Sequence, residues 1–139
     1  MSKLVVDINV ALDFLLGREH CQVATELFQL SLNKKFKALV CAHEVTTVSY
    51  FLEKNSRDQE MVKRVLKKFL DVVDVIESNR KLLLKAFDSP ISDFEDAVVE
   101  ASATSVKAKY IVTRDASGFK KSRIDAITPE HCLRLFRNK

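Results

Sequence analysis

The chain has 139 residues, a length typical of one domain and sufficient to bury a hydrophobic core without disulfides. It is 47% apolar and 30% charged, which is the balance of a globular protein and excludes a disordered one. No apolar run approaches the roughly 20 residues of a membrane span, and Asp7 and Asn9 interrupt the run that a signal peptide would need. We therefore expect a single domain over residues 1–139 that is soluble and cytoplasmic and has no membrane partner. The net charge of +4 permits a nucleic-acid partner without arguing for one.

The first predicted element is a strand that ends at Asp7. Leu4, Val5 and Val6 form an apolar run without alternation, which is typical of a strand buried on both faces of a parallel sheet. Asn9 is the predicted N-cap of a helix that stops at Gly17. Asp13, one turn into that helix, is expected at the surface. Because ligands of open α/β sheets bind at the carboxyl ends of the strands, Asp7 is a candidate functional carboxylate.

The rest of the chain alternates between helical and strand patterns. Further strands are predicted at Lys37–Cys41, Val72–Ile76, Tyr110–Thr113 and Asp125–Ile127. Helices are predicted at His20–Lys34, from near Glu44 to Asn55, at Asp58–Leu70 and Asn79–Phe87, from Ser92 to about Ala108, and after Thr128. This alternation predicts an α/β fold with a central parallel sheet of four to five strands and helices on both faces.

Two helix starts have recognisable sequence signals. Ser92 and Glu95 fit a capping box, with Ser92 as the N-cap and the Glu95 side chain reaching back to it. Thr128 followed by Pro129 fits an N-cap with proline at the first helical position. In the helix that Ser92 opens, Glu100 is expected to face solvent or the rim of a site.

Acidic residues follow several of the predicted strands and should meet at one edge of the sheet. Asp7, Glu44 and Asp115 come after the first, second and fourth strands, and a helix adds Asp93 and Asp96, three positions apart on one face. Clustered carboxylates repel each other unless some are protonated or a cation lies among them. Mg²⁺ takes carboxylates and waters and leaves room for a phosphate, which is the chemistry of metal-dependent nucleases.

Four short motifs appear in this order along the chain: Val5–Asn9, Ala42–Val45, Asp93–Ala97 and Ile111–Asp115. Together they resemble the PIN-domain family, and the resemblance extends to the final Thr128-Pro129-Glu130 and its helix. It implies a three-layer α/β sandwich and cleavage of RNA that depends on Mg²⁺ or Mn²⁺, often by the toxin of a toxin–antitoxin pair. The resemblance thus implies an RNA substrate and, for a toxin, an antitoxin partner.

The resemblance also assigns roles to residues. It makes Asp7, Glu44, Asp96 and Asp115 the metal-binding catalytic acids, Asp93 an accessory acid, and Asn9 and Thr113 supporting residues. One position departs from the family, which commonly has an acid just before the phenylalanine where this chain has Gly118-Phe119.

Basic residues are candidates for holding the RNA backbone. Arg114, Lys120, Lys121 and Arg123 lie in the segment that leaves the acidic edge, so they are the predicted phosphate contacts. A second basic group on the helix at Asp58–Leu70 is interpreted as a solvated helix face, and it comprises Lys63, Arg64, Lys67 and Lys68.

Two alternatives to a metal-dependent ribonuclease remain at this stage. The same fold could serve as a non-catalytic RNA-binding or protein-binding module. A phosphatase would use the acid after the first strand as its nucleophile, but such enzymes usually repeat the acid two residues later, where this chain has Asn9.

A zinc site is suggested by a histidine within two residues of each cysteine, but the spacing fits known ligand sets poorly, so buried cysteines beside surface imidazoles are expected. A homodimer through apolar helix faces is compatible with the sequence.

Overall fold

Five parallel strands form one sheet in the computed structural model, which describes residues 1–139. The strands are β1 (Lys3–Val6), β2 (Lys37–Cys41), β3 (Asp74–Ile76), β4 (Tyr110–Val112) and β5 (Ala126–Ile127). Their order across the sheet is β3-β2-β1-β4-β5. The helices are α1 (Ile8–Leu16), α2 (Cys21–Leu32), α3 (Ala42–Asn55), α4 (Gln59–Val72), α5 (Arg80–Ala86), α6 (Phe94–Ser105) and α7 (Pro129–Phe136), with a 3₁₀ turn at Ala116–Phe119.

Successive residues of a strand point into two separate hydrophobic cores. Leu4 and Val6 of β1 pack in a core with α1, α2, α3, α4 and α7, whereas Val5 packs in a second core with α5 and α6. Both faces of the strand are therefore buried, which explains the absence of polar alternation in its sequence. The predicted three-layer α/β fold with helices on both faces is confirmed.

The strand order places a topological switch point between β1 and β4. From β1 the chain proceeds through β2 to β3 on one side, and then returns to form β4 and β5 on the other. Val6 pairs with Val112, and the Asp7 N–H donates to the Val112 carbonyl at 2.9 Å, so Asp7 and Thr113 leave their strands side by side. A crevice at such a point is where open α/β sheets bind ligands.

Two predicted helix starts are wrong by one or two residues. Helix α1 begins at Ile8 and is capped by the Asp7 carboxylate, so Asn9 is an exposed residue of the first turn and not the cap. Helix α6 begins at Phe94 and is capped by Asp93, whose Oδ1 accepts from the Asp96 N–H at 3.0 Å. The N-cap therefore lies one residue later than predicted, with Asp96 and not Glu95 three positions after it, and no side chain bonds back to the cap as in a capping box. The prediction of Thr128 as N-cap with Pro129 in the first turn is confirmed.

Two acids that were expected at the surface are buried in ion pairs. Asp13 is 1% exposed, and its Oδ2 lies 2.7 Å from Nε of Arg114. Glu100 is fully buried and accepts from the Arg123 backbone N–H at 2.7 Å and from the Arg123 guanidinium at 2.9 Å. Helical spacing alone did not reveal these roles, because both partners come from the segment after β4, more than 20 residues away in sequence.

The cysteines are unpaired. Cys41 and Cys132 are buried, as expected for cysteines that pack as small apolar groups. Cys21 is half-buried and meets that expectation only in part. None of the helices has the length and apolar character needed to cross a membrane.

Candidate active site

Asp7 is held at the switch point by two hydrogen bonds to different parts of the chain. Its Oδ1 accepts from the Ile8 N–H at 2.8 Å as the cap of α1, and its Oδ2 accepts from the Thr113 hydroxyl at 2.8 Å. Thr113 is fully buried, and its Oγ1 also accepts from the Asp115 N–H at 3.0 Å. The threonine thus fixes the Asp7 carboxylate and the start of the Asp115 loop together.

Glu44 reaches the same place from the first turn of α3. Its Oε2 accepts from the Ile8 N–H at 3.1 Å, so one backbone donor is shared between the carboxylates of Asp7 and Glu44. Glu44 is 2% exposed, and its Oε1 is buried without any hydrogen-bond partner. A buried acceptor left in this state normally indicates a partner such as an ion or a water.

Asp96 and Asp115 approach each other around Gly118. A Cβ placed on Gly118 would lie 2.8 Å from Oδ2 of Asp115 and 3.4 Å from Oδ2 of Asp96. The Asp115 Oδ1 is held by the Ser117 hydroxyl at 2.8 Å and the Gly118 N–H at 3.2 Å, which leaves Oδ2 free. Glycine at this position therefore gives the two carboxylates room to face the same space.

No basic side chain neutralises the carboxylates at this edge of the sheet. Burial, and then the charge of Asp7, raise the pKa of Glu44 well above its ordinary value. Burial also raises the pKa of Asp7, opposed by its hydrogen bonds to Thr113 and Ile8. The pKa of Asp96 rises to about 6 through burial and the charges of Asp93, Asp7, Glu95 and Asp115. None of the four ion pairs in the chain involves these carboxylates.

These residues fit a hard divalent cation. Glu44 offers an oxygen that has no other partner, and a cation would offset the burial and the repulsion that together raise the pKa of Asp7, Glu44 and Asp96. The four predicted acids form an open group and not a tight cage, since no three of them have ligand atoms all within 4.8 Å of one another. An open group suits Mg²⁺, which usually keeps several waters and takes only one or two carboxylates.

The closest cluster of potential ligands is one that the sequence did not predict. His43, Glu44 and Glu95 have ligand atoms that all lie within 4.8 Å of one another. Glu95 does not reach back to Ser92, and His43 is not the surface imidazole that was expected, because both ring nitrogens are buried without partners. Placing the cap at Asp93 in the sequence would have removed the reason to assign Glu95 to a capping box.

The four basic residues predicted to contact phosphate fall into two pairs. Lys120 and Lys121 are exposed and form no ion pair. The guanidinium groups of Arg114 and Arg123 are instead bound to the buried carboxylates of Asp13 and Glu100. Of the predicted supporting residues, Thr113 contacts Asp7 and Asp93 caps the helix of Asp96, whereas the exposed Asn9 side chain makes no hydrogen bond.

The model of the PIN domain family matches residues 3–117. The chain belongs to the PIN-domain family. The match contains Asp7, Glu44, Asp96 and Asp115 and ends just before Gly118. No curated protein matches the sequence significantly.

Solved structures share the fold of this PIN domain at low sequence identity. VapBC2 from Rickettsia felis, bound to a DNA fragment from its promoter, has a TM-score of 0.72 at 16% identity over 91% of this chain and 98% of its own. A toxin–antitoxin complex from Klebsiella pneumoniae has a TM-score of 0.65 at 15% identity over 91% and 97%. The sarcin–ricin-loop-cleaving toxin VapC20 from Mycobacterium tuberculosis has a TM-score of 0.63 at 15% identity over 88% and 98%.

Proposed function

We propose that this PIN domain is a metal-dependent ribonuclease that hydrolyses RNA phosphodiester bonds. The observation that carries the proposal is the convergence of the Asp7 and Glu44 carboxylates on one backbone N–H, with no basic side chain to neutralise them. Asp96 and Asp115 complete the group from the other side of Gly118. The similarity to a toxin that cleaves the sarcin–ricin loop supports RNA as the substrate class.

Asp7, Glu44, Asp96 and Asp115 are the residues that would hold Mg²⁺ or Mn²⁺, one or two of them directly and the others through the waters that such an ion keeps. A bound ion of this kind activates water and stabilises the negative charge of the leaving oxygen. The chain's own contribution is positioning: Thr113 and the Ile8 N–H orient Asp7, and Ser117 orients Asp115. Asp93 fixes the start of α6 and so the direction of Asp96.

Lys120 and Lys121 are the phosphate contacts in this proposal. Both are exposed and free of ion pairs, and they follow the Asp115 loop directly. Arg114 and Arg123 contribute indirectly, because their guanidinium groups anchor that loop to Asp13 and Glu100. Asn9 is exposed in the first turn of α1 and would support the site from there.

We further propose that the protein acts as the toxin of a toxin–antitoxin pair. Two of the structures that share its fold are described as VapBC2 with promoter DNA and as a toxin–antitoxin complex. A co-purification experiment tests this: the product of an adjacent reading frame, expressed with the chain, should bind it and suppress RNA cleavage. Cleavage at the same rate with every adjacent product would argue against a toxin role.

The substitution Asp7→Asn tests the ribonuclease directly. Asparagine is nearly isosteric and is also a good N-cap, so α1 should keep its start while the site loses one charge. We expect wild-type protein to cleave RNA in Mg²⁺ or Mn²⁺ and not in EDTA, and the variant to lose at least about 100-fold in rate. Asp58→Asn is the matched control, because Asp58 is the N-cap of α4 and lies outside the carboxylate group.

Two results would overturn parts of this proposal. RNA hydrolysis by Asp7→Asn at the wild-type rate would rule out the assigned site. RNA binding by the wild-type protein without any turnover in Mn²⁺ would favour the alternative of a non-catalytic RNA-binding module.

A further inference from the structure

Three buried polar atoms of two consecutive residues have no hydrogen-bond partner. They are Nδ1 and Nε2 of His43 and Oε1 of Glu44, and no other buried side-chain nitrogen or oxygen in the chain shares this state. An unsatisfied buried polar group costs about 1–3 kcal/mol, so native proteins rarely leave one without a reason. These three atoms are therefore free to bind a ligand that both side chains could share.

Glu95 adds a third ligand from another element. It lies in the first turn of α6, and one of its oxygens is within 4.8 Å of the ligand atoms of His43 and Glu44. Two ligands bound at 2.1 Å to a tetrahedral ion are about 3.4 Å apart, so only small side-chain adjustments would close the group. Glu95 is exposed and makes no hydrogen bond, so it is free to make such an adjustment.

We propose that His43, Glu44 and Glu95 form a second divalent-cation site, beside the carboxylate group of Asp7, Asp96 and Asp115. One imidazole and two carboxylates suit Zn²⁺ and similar transition-metal ions, whereas Mg²⁺ and Ca²⁺ favour oxygen ligands alone. Three protein ligands also leave a coordination position open. The site goes beyond the ribonuclease proposal and does not depend on RNA cleavage.

Glu44 is common to both groups, and its two oxygens differ in their contacts. Its Oε2 accepts from the Ile8 N–H beside Asp7, and its unpartnered Oε1 remains for a second ligand. The carboxylate can therefore serve a cation on either side. The occupant of the His43 side is a transition-metal ion and not the hard ion expected among the four acids.

The experiment observes the histidine directly by NMR. The untagged chain, labelled with ¹⁵N-histidine and freed of metal with EDTA, is titrated with Zn²⁺ or with excess Mg²⁺. We expect Zn²⁺ to move one ring nitrogen of His43 to the chemical shift of a metal-bound imidazole, and Mg²⁺ to leave both unchanged. The chain has three histidines, so His20→Gln and His131→Gln assign the signals.

Variants of the acids separate this site from the ribonuclease site. Glu95→Gln should weaken Zn²⁺ binding at least about tenfold, as expected when a ligand is lost. Glu130→Gln is the matched control, since Glu130 also lies in the first turn of a helix and is exposed. The double variant Asp96→Asn/Asp115→Asn should lose RNA cleavage and keep the Zn²⁺-dependent shift of His43.

Two outcomes would overturn the inference. One is a His43 ring whose shifts do not respond to Zn²⁺ and instead change only on Glu95→Gln, which would indicate a simple His43–Glu95 hydrogen bond. The other is a Zn²⁺ affinity that Glu95→Gln leaves equal to that of Glu130→Gln.

Discussion

Asp96 gives the metal-free protein an unusual dependence on pH. Its pKa of about 6 lies above the ordinary aspartate value of about 3.9, because burial and the charges of neighbouring carboxylates disfavour ionisation. Between these values the folded state holds more protons than the unfolded state at this position. The contribution of Asp96 to the free energy of unfolding is therefore greatest below about pH 4 and is lost as the pH rises towards 6.

The first prediction is that Asp96→Asn removes this loss of stability with rising pH. In EDTA, the melting temperature of the variant minus that of the wild type should increase between pH 4 and 7. The change should correspond to about 1 kcal/mol, since solvent at a partly exposed side chain reduces the full effect. Thermal melts in EDTA measure it, with Glu60→Gln as the control because Glu60 is an exposed acid in the first turn of α4. A difference that stays constant with pH would contradict the raised pKa.

The second prediction concerns Gly118→Ala. The added Cβ would lie 2.8 Å from Oδ2 of Asp115, so that carboxylate must leave its present position. We expect Mn²⁺ affinity, measured by calorimetry, to fall about tenfold with little change in the metal-free melting temperature. Gly17→Ala should lower the melting temperature and leave Mn²⁺ affinity unchanged. Gly17 has a φ of +63°, which strains an alanine, and its surroundings are open. Equal Mn²⁺ affinity for Gly118→Ala and the wild type would argue against Asp115 as a ligand.

The same geometry bears on the departure of this chain from its family at Gly118. An acidic side chain in place of Gly118 would meet the Asp115 carboxylate at its Cβ. The Asp115 carboxylate would have to shift to admit an acid at this position. This contact depends on how the loop after β4 folds, and the sequence alone does not reveal it.

At the scale of elements, the loop after β4 is anchored by two ion pairs. Arg114 binds Asp13 of α1 on one side of the sheet, and Arg123 binds Glu100 of α6 on the other. Burial alone would raise the pKa of Glu100, but hydrogen bonds from Ser89 and Arg123 outweigh it and hold the pKa below its ordinary value. The loop that carries Asp115 is therefore fixed to a helix on each face.

The third prediction is that Arg114→Met destabilises the fold. It leaves Asp13, whose side chain is 2% exposed, without its partner, and the cost should be about 2–4 kcal/mol because Arg114 itself is one-third exposed. Urea unfolding in EDTA measures the loss. Asp13→Leu combined with Arg114→Met should recover most of it, since no charge then remains buried. Lys120→Ala is the control. An Arg114→Met variant as stable as that control would mean that the ion pair with Asp13 does not stabilise the fold and that Arg114 is available to contact phosphate.

The sequence predicted the elements better than the contacts between them. The run from Leu4 to Val6 indicated a doubly buried strand because burial on both faces leaves a direct trace in composition. The cap of α6 was misplaced because Ser92 and Asp93 are both good N-caps, and local sequence does not decide between adjacent candidates. With the cap at Asp93, Glu95 has no capping role, and it lies beside His43 instead.

Tertiary partners account for the other differences. Asp13 and Glu100 look like surface acids in their own helices, and only the return of the chain after β4 brings an arginine to each. The positions of Asp7 and Thr113 were predictable, since parallel strands end at a common edge. The shared Ile8 N–H between Asp7 and Glu44 was not, because it depends on how α3 leaves β2.

For the whole molecule, the distribution of charge matters more than the net charge of +4. The carboxylate edge has no internal cation, while the exposed lysines without ion pairs include two surface pairs: Lys120 and Lys121 after the 3₁₀ turn, and Lys63 and Lys67 on α4. RNA binding at the proposed site should use the first surface. Each phosphate contact with single-stranded nucleic acid contributes about 0.7 to the slope of log affinity against log salt concentration.

The fourth prediction follows from that slope. In the cleavage-deficient Asp7→Asn background, Lys120→Ala/Lys121→Ala should reduce the magnitude of the slope for single-stranded RNA by about 1.4 and weaken binding for all sequences alike. Fluorescence anisotropy over a series of salt concentrations measures it. Lys63→Ala/Lys67→Ala carries the same change in net charge and should leave the slope unaltered, because those lysines lie on the outer face of α4. If the α4 variant instead shows the larger change, the RNA follows α4 and the two lysines after the Asp115 loop do not hold the scissile strand.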